Sequence, residues 1–140
     1  MVLGFAVVLL IGGAVWGQSE DPADGIGLSV AEVIARFGPP QSVHAVRGLE
    51  EWQDDVVFAY SDRELYFYRD RVWQVSVRNA YGIRVGERRG VIPLVLGDGT
   101  AEFDTHTLFT FAEGSWPVTV RFNTDRNGLV STIYIYRSDF

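Results

Sequence analysis

The chain of 140 residues contains no cysteine and no lysine. Without cysteine there is no disulfide, no thiolate-held zinc or iron–sulfur site, no thiol nucleophile and no residue for lipid attachment. Without lysine, all twelve basic residues are arginine, set against eighteen acidic ones for a formal charge of −6. No group of these arginines forms a basic stripe. A nucleic-acid-binding surface must neutralise phosphates, so the balance argues against that class. The same sign argues against docking on anionic lipid. Several chemical signatures are also missing: a Gly-x-Ser-x-Gly nucleophile elbow, a glycine-rich phosphate loop and a His-Glu-x-x-His zinc motif.

What is present is apolar and aromatic. Hydrophobic residues make up 47% of the chain and aromatics 14%, which places it far from disorder. At the start, residues 2–16 carry no charged or polar side chain. The run is shorter than the roughly 20 residues of a spanning helix, and it ends in small residues, as the apolar region of an export signal does. Val15-Trp16-Gly17 offers a cleavage site before Gln18, although no Lys or Arg opens the segment. An uncleaved anchor and a buried core element are the competing readings. Residues 18–26 are polar and read as a flexible leader.

Residues 28–40 spell a helix with both ends specified. Ser29 and Glu32 have capping-box spacing, and Leu28 and Val33 can form a hydrophobic staple around it. Val30, Val33, Ile34 and Phe37 follow the i, i+3, i+4, i+7 spacing of a buried face. Gly38 permits a left-handed stop, and Pro39-Pro40 forbids continuation. Strands follow: 52–60, then Leu65-Tyr66-Phe67-Tyr68, then 72–78. In the last, Trp73, Val75 and Val77 alternate with Gln74 and Ser76, as in an antiparallel sheet with one wet face.

The order then recurs. Gly27 and Gly86, and Gly38 and Gly97, are separated by 59 positions; Val72, Val75 and Val77 fall against Val130, Ile133 and Ile135 at 58. Thr107-Leu108-Phe109-Thr110-Phe111 and Val118-Thr119-Val120-Arg121-Phe122 match the earlier strands in kind, and Asn127-Gly128 is a hairpin signal. The second helix is weaker: it lacks a capping box, Gly90 lies within it, and Pro93 stands at its interior. It reads as a single turn or as a strand. The expected fold is α+β: two tandem helix-plus-antiparallel-strands units, 27–80 and 81–140, with the helices on one face of the sheet. Residues 1–17 form the export signal.

The pattern Gly27-Leu28-Ser29-x-x-Glu32-Val33-x-x-x-Phe37-Gly38-x-Pro40, followed by aromatic-rich strands, resembles the SmpA/OmlA (BamE-like) family of bacterial envelope proteins. A tandem of two such units is similar to the β-lactamase inhibitory proteins. The resemblance implies action by protein–protein contact through the sheet and its loops. Members of the BamE-like family are usually anchored by a lipidated cysteine, which this chain lacks.

Candidate chemistry is sparse. His44 and His106 are the only histidines; meeting across the repeat, they would still need carboxylates to hold a metal. Glu50, Glu51, Asp54 and Asp55 cluster before a strand without the Asp-x-Asp-x-Asp-Gly calcium pattern. They read as a solvated loop. The terminal Phe140 after an alternating strand is a feature of outer-membrane barrels, but an eight-stranded barrel needs segments of about ten residues with an apolar outward face, and too few of these exist. The aromatics remain. Tyr66, Tyr68, Tyr134 and Tyr136 lie at alternating positions on two strands, with Trp52 and Trp116 at loop ends. Facing outward, they would form a binding patch; facing inward, they would be core with wet hydroxyls. The expected function is non-enzymatic: a periplasmic or secreted protein-interaction module of the bacterial envelope, without catalytic residues, cofactor, metal or nucleic acid. A small-molecule or lipid binder is the alternative, and an unrecognised hydrolase a third class.

Overall fold

The structure, a computed structural model, describes residues 21–50, 55–111 and 116–139. The export signal proposed for 1–17 lies outside the described residues. The elements run α1 Val30–Phe37, β1 Ser42–Val46, β2 Asp55–Ala59, β3 Arg63–Tyr68, β4 Arg71–Val77, a small hairpin of β5 Asn79–Ala80 and β6 Ile83–Arg84, α2 Val91–Leu96, β7 Thr100–Glu102, β8 His106–Phe111, β9 Val118–Thr124 and β10 Val130–Arg137. The larger sheet has eight strands in the order β1-β2-β3-β4-β10-β9-β8-β7, each pair antiparallel.

This corrects the expectation of two tandem units. The element order does recur, and so does a pair of backbone bonds. Gly27 and Leu28 bond the two sides of Val72 just as Gly86 and Glu87 bond Val130. The halves do not close separately, however. Strand β4 pairs with β10 through Val75↔Ile135, Ser76↔Tyr134 and Val77↔Ile133. Residues of both halves, from Leu65 and Val75 to Phe122 and Ile133, then share one core with Val33 of α1 and Ile92 of α2. Neither half could bury its own apolar face so completely, because the central strands β4 and β10 are each other's neighbours. The molecule is one eight-stranded sheet with two short helices on one face.

Helix α1 follows its sequence signals. Glu32 donates its backbone N–H to the Ser29 hydroxyl at 3.3 Å, and Ser29 donates its own to Glu32 Oε2 at 2.8 Å. A further first-turn donor, the N–H of Val30, reaches Asp70 Oδ1 at the tip of the β3–β4 hairpin, 3.3 Å away. Gly38 ends the helix at φ 78°, ψ −172°, a region essentially restricted to glycine. The buried face is narrower than expected: Val33 is fully buried, but Ile34 is 44% exposed. In the turn before α1, Gly25 and Ile26, read as leader from the sequence, are buried. A Cβ at Gly25 would come within 3.2 Å of Leu65 at a φ of 107°. Helix α2 tolerates Pro93 because the residue falls within the first turn, where N–H groups lack intrahelical acceptors. It has no side-chain cap.

The edge strands β1 and β7 were not anticipated. All five residues of β1 are exposed and β7 is barely covered, so neither carries the apolar alternation that marks a half-buried strand.

Three stability outcomes follow from these contacts. Ser29→Ala should lower stability by about 1 kcal/mol, read as a drop in the urea midpoint at unchanged slope. The bond from the Ser29 backbone N–H, then its hydroxyl and Arg71, holds the Glu32 carboxyl below its ordinary value of 4.5. Stabilisation from that carboxylate is therefore complete above the unfolded-state value and lost as pH falls through the lower folded value. Glu32→Gln should flatten that acid limb. Thr107 is fully buried and its Oγ1 has no partner among the described residues, so Thr107→Val should raise stability by about 1 kcal/mol or more, read as a higher urea midpoint.

Candidate functional site

Pairing register separates the two faces of the sheet. Leu65, Phe67, Val72, Val75, Val77, Val120, Phe122, Ile133 and Ile135 face the helices and are buried. On the other face, Glu64 lies opposite Ser76 and Tyr66 opposite Gln74. Ser76 and Gln74 in turn oppose Tyr134 and Tyr136, and these oppose Arg121 and Thr119. Among the described residues no helix covers this second face.

A bulge shapes its centre. The register shifts between Tyr66↔Gln74 and Phe67↔Val72, leaving Trp73 as the extra residue. Trp73 thereby leaves the Val75/Val77 side where alternation placed it and joins Gln74 on the helix-free face. Its indole N–H donates to Asp55 Oδ1 on β2 at 3.0 Å, and its ring lies 6.4 Å from that of Tyr136. Tyr66 and Tyr134 meet edge-on at 6.2 Å, a preferred aromatic geometry. The Tyr66 hydroxyl donates to Glu64 Oε2 at 2.9 Å. Burial first, and the Glu64 carboxylate second, push the Tyr66 phenol well above its ordinary value of 10.0. At neutral pH it is a fixed donor, unable to act as a base. Val57, opposite Tyr66 in register, has no exposed surface.

The sequence-predicted aromatics separate. Tyr66, Tyr134 and Tyr136 come together, half-buried, on the helix-free face, with Tyr68 at the end of the same β3 row. Trp52 lies outside the described residues. Trp116 is on the opposite side: a Cβ at Gly27 would lie 3.4 Å from its ring, and the Arg137 guanidinium covers it at 4.5 Å. The sequence reading missed Trp73 and Asp55 as members of this cluster. A bulge leaves no periodic signal, but an Asp with 6% exposure needs a donor, and a Trp N–H meets that need.

The two histidines stand apart. His44 is on edge strand β1, and β2, β3, β4, β10 and β9 separate it from β8, which carries His106. At ~4.8 Å per strand they are roughly 29 Å apart. His106 stacks on Phe103 at 4.6 Å. Desolvation, then Arg121 and Arg89, hold it below its ordinary value of 6.5, so it is neutral at neutral pH. Among the described residues no three His, Cys, Asp or Glu side chains form a metal-holding group, and no helix is long and apolar enough to cross a membrane. Of the acidic cluster, residues 51 and 54 lie outside the described residues, and Asp55 accepts from Trp73.

No family model matches the chain, and no curated protein matches it. Two solved structures share the fold. One is an extracellular protein containing an SCP domain from Bacillus anthracis str. Ames, at TM-score 0.56 and 10% identity, covering 94% of this chain and 50% of that one. This chain therefore spans about half the length of that structure. The other is a DUF4309 family protein (YjgB) from Bacillus subtilis subsp. subtilis str. 168, at TM-score 0.51 and 14% identity, covering 84% and 86%. At these identities the likeness concerns the fold. These findings correct the resemblance to the SmpA/OmlA (BamE-like) and β-lactamase-inhibitor families. The motif at Gly27–Pro40 caps and stops a helix, a local requirement that any chain laying a short helix on a sheet can meet.

Trp73→Phe keeps an aromatic ring, though a smaller one, and removes the indole donor to buried Asp55. It should destabilise the protein by about 1–3 kcal/mol in urea unfolding, and in a double-mutant cycle with Asp55→Asn the two losses should be less than additive.

Proposed function

We propose that this chain is a non-enzymatic, exported protein-interaction module of the cell envelope that engages a protein partner through the helix-free face of its sheet. The observation that carries the reading is the array of half-buried Tyr66, Tyr134 and Tyr136 on that face, pinned by the Trp73–Asp55 bond. Rigid aromatics offer large contact area at low conformational cost, and such residues dominate interface hot spots. The anchors are Tyr66, Tyr68, Tyr134 and Tyr136. Trp116, on the helix side, does not belong to this surface, and Trp52 borders it only in sequence.

Charge grades across the face. Asp55 and Glu64 lie toward β2 and β3, and Arg121 toward β9. That grading favours a partner with an acidic and a basic side of its own and fixes the orientation of docking. Export is supported by the apolar stretch at 2–16, which ends in a cleavage-like Val15-Trp16-Gly17. It is also in keeping with the extracellular description of a protein sharing the fold.

In-cell crosslinking of the tagged chain followed by mass spectrometry tests this. A stoichiometric partner should be captured and should be lost in a Tyr66→Ala/Tyr134→Ala/Tyr136→Ala variant that keeps its circular dichroism spectrum. Capture that survives the triple substitution would move the interface off this face, and capture of nothing above background would end the interaction reading.

A further inference from the structure

At one end of the helix-free face, where β3, β4 and β10 meet, the surface sinks into a cleft of about 240 Å³ lined in part by Asp62, Arg63, Glu64, Ser76, Arg78 and Thr132. It shares a wall with a wider recess of about 550 Å³ bounded by Pro22. The volume is below the ~300–1,000 Å³ of drug-sized sites and suits a small solute.

The charges in this cleft are divided. Arg63 is closed off: its side chain is 5% exposed, Nε and a terminal nitrogen both donate to Asp62 Oδ2 at 3.0 Å, another donates to the Asp24 carbonyl at 3.3 Å, and its plane lies over Phe37 at 5.2 Å. Asp62 and Arg63 neutralise each other. Arg78 is in the opposite condition. Continuing the register beyond Arg63↔Val77 and Ile133↔Val77 sets it between Asp62 and Thr132. It is exposed, and no hydrogen bond or ion pair engages its guanidinium among the described residues. Glu64, opposite Ser76, spends one carboxylate oxygen on the Tyr66 hydroxyl and leaves the other open. An open cation and an open carboxylate thus stand on diagonal positions, whose Cα atoms lie ~7–8 Å apart, and no ion pair joins them among the described residues. Hydroxyls lie between and beside them. Among the described residues nothing bonds the Ser76 hydroxyl, and the Thr132 oxygen already accepts from Asn123 at 2.8 Å, which leaves its proton free to donate.

We propose that this cleft binds a small zwitterion of the α-amino-acid class. Its carboxylate sits on the Arg78 guanidinium with help from the Thr132 hydroxyl, and its ammonium sits on Glu64. The two open charges cancel, so the site favours a ligand that is neutral overall and charged at each end over a simple anion or cation. Its side chain extends toward the wider recess by Pro22. The cleft shares Glu64 with the aromatic face, but its ligand does not depend on a protein partner there.

The test uses glycine, L-alanine and L-glutamine as probes, with acetate and methylammonium as single-ended controls, in calorimetry and thermal unfolding of the full chain. At a hundredfold excess over Kd a zwitterion should raise Tm by roughly 5–10 °C, and neither control should do so at the same concentration. Arg78→Gln and Glu64→Gln should each weaken binding at least tenfold, with Arg78→Lys recovering part of it. Both positions are surface-accessible, so the variants should keep the parent's circular dichroism. No binding heat from any of the three amino acids would overturn the proposal, as would binding that acetate reproduces or that Arg78→Gln leaves unchanged.

Discussion

The pairing of β4 with β10 is the constraint on which the rest of the molecule depends. These strands are separated in sequence by the β5–β6 hairpin, α2 and strands β7, β8 and β9, yet they bond through Val75↔Ile135 and its neighbours at the middle of the sheet. Each is a strand that would otherwise be an edge, presenting unpaired N–H and C=O groups beside apolar side chains. Joining them removes both edges at once and moves the sheet's free edges to β1 and β7. Those are short or wholly exposed strands, β1 with Val43 and Val46 open to solvent. The price is a long-range contact that must form late. In return, Val75, Val77, Ile133 and Ile135 are all shielded from water.

The same junction organises both surfaces with functional readings. Tyr66 and Tyr134 come from different halves of the chain, and they touch only because Ser76 and Gln74 on β4 lie between β3 and β10. The polar cleft lies at the end of these same three strands. Its floor, Arg63, is fixed by Asp62 and by the carbonyl of Asp24 in the turn before α1. A change in β4–β10 register by one residue would turn every side chain of one strand to the other sheet face and would dissolve both surfaces together.

Much of this fold was legible where the sequence used local, redundant signals. The first helix was written by Ser29, Glu32, Gly38 and the proline pair, and each acts within four residues of its target. The strands with one wet face declared themselves by period-two alternation. What stayed hidden depended on distant partners. No local signal says that β4 meets β10, so a repeat in element order was read as two units when the chain builds one sheet. Every residue of edge strand β1 is exposed, so the strand carries no alternation of buried and open positions. The resemblance drawn from the helix motif failed for a related reason: a cap-and-stop motif reports on a helix end, and many unrelated folds need one. The tyrosine row was visible by its spacing, but its face was decided by which side the helices covered.

Trp73 shows how a single irregularity can carry more functional weight than the regular pattern around it. Strict alternation would bury its ring under the helices beside Val75, where its indole N–H would need a partner that an apolar core cannot supply. The bulge inserts one residue, turns the ring to the helix-free face, and brings its N–H to the carboxylate of Asp55 two strands away. One displacement therefore satisfies two buried polar groups and places a large ring beside Tyr136. On the same face the Tyr66 hydroxyl is tied to Glu64. The carboxylate that orients this tyrosine is the one left half open to the cleft. Occupation of that cleft would thus be felt first at Tyr66, through a single shared side chain, so the aromatic face and the polar end of the sheet are joined by chemistry as well as by proximity.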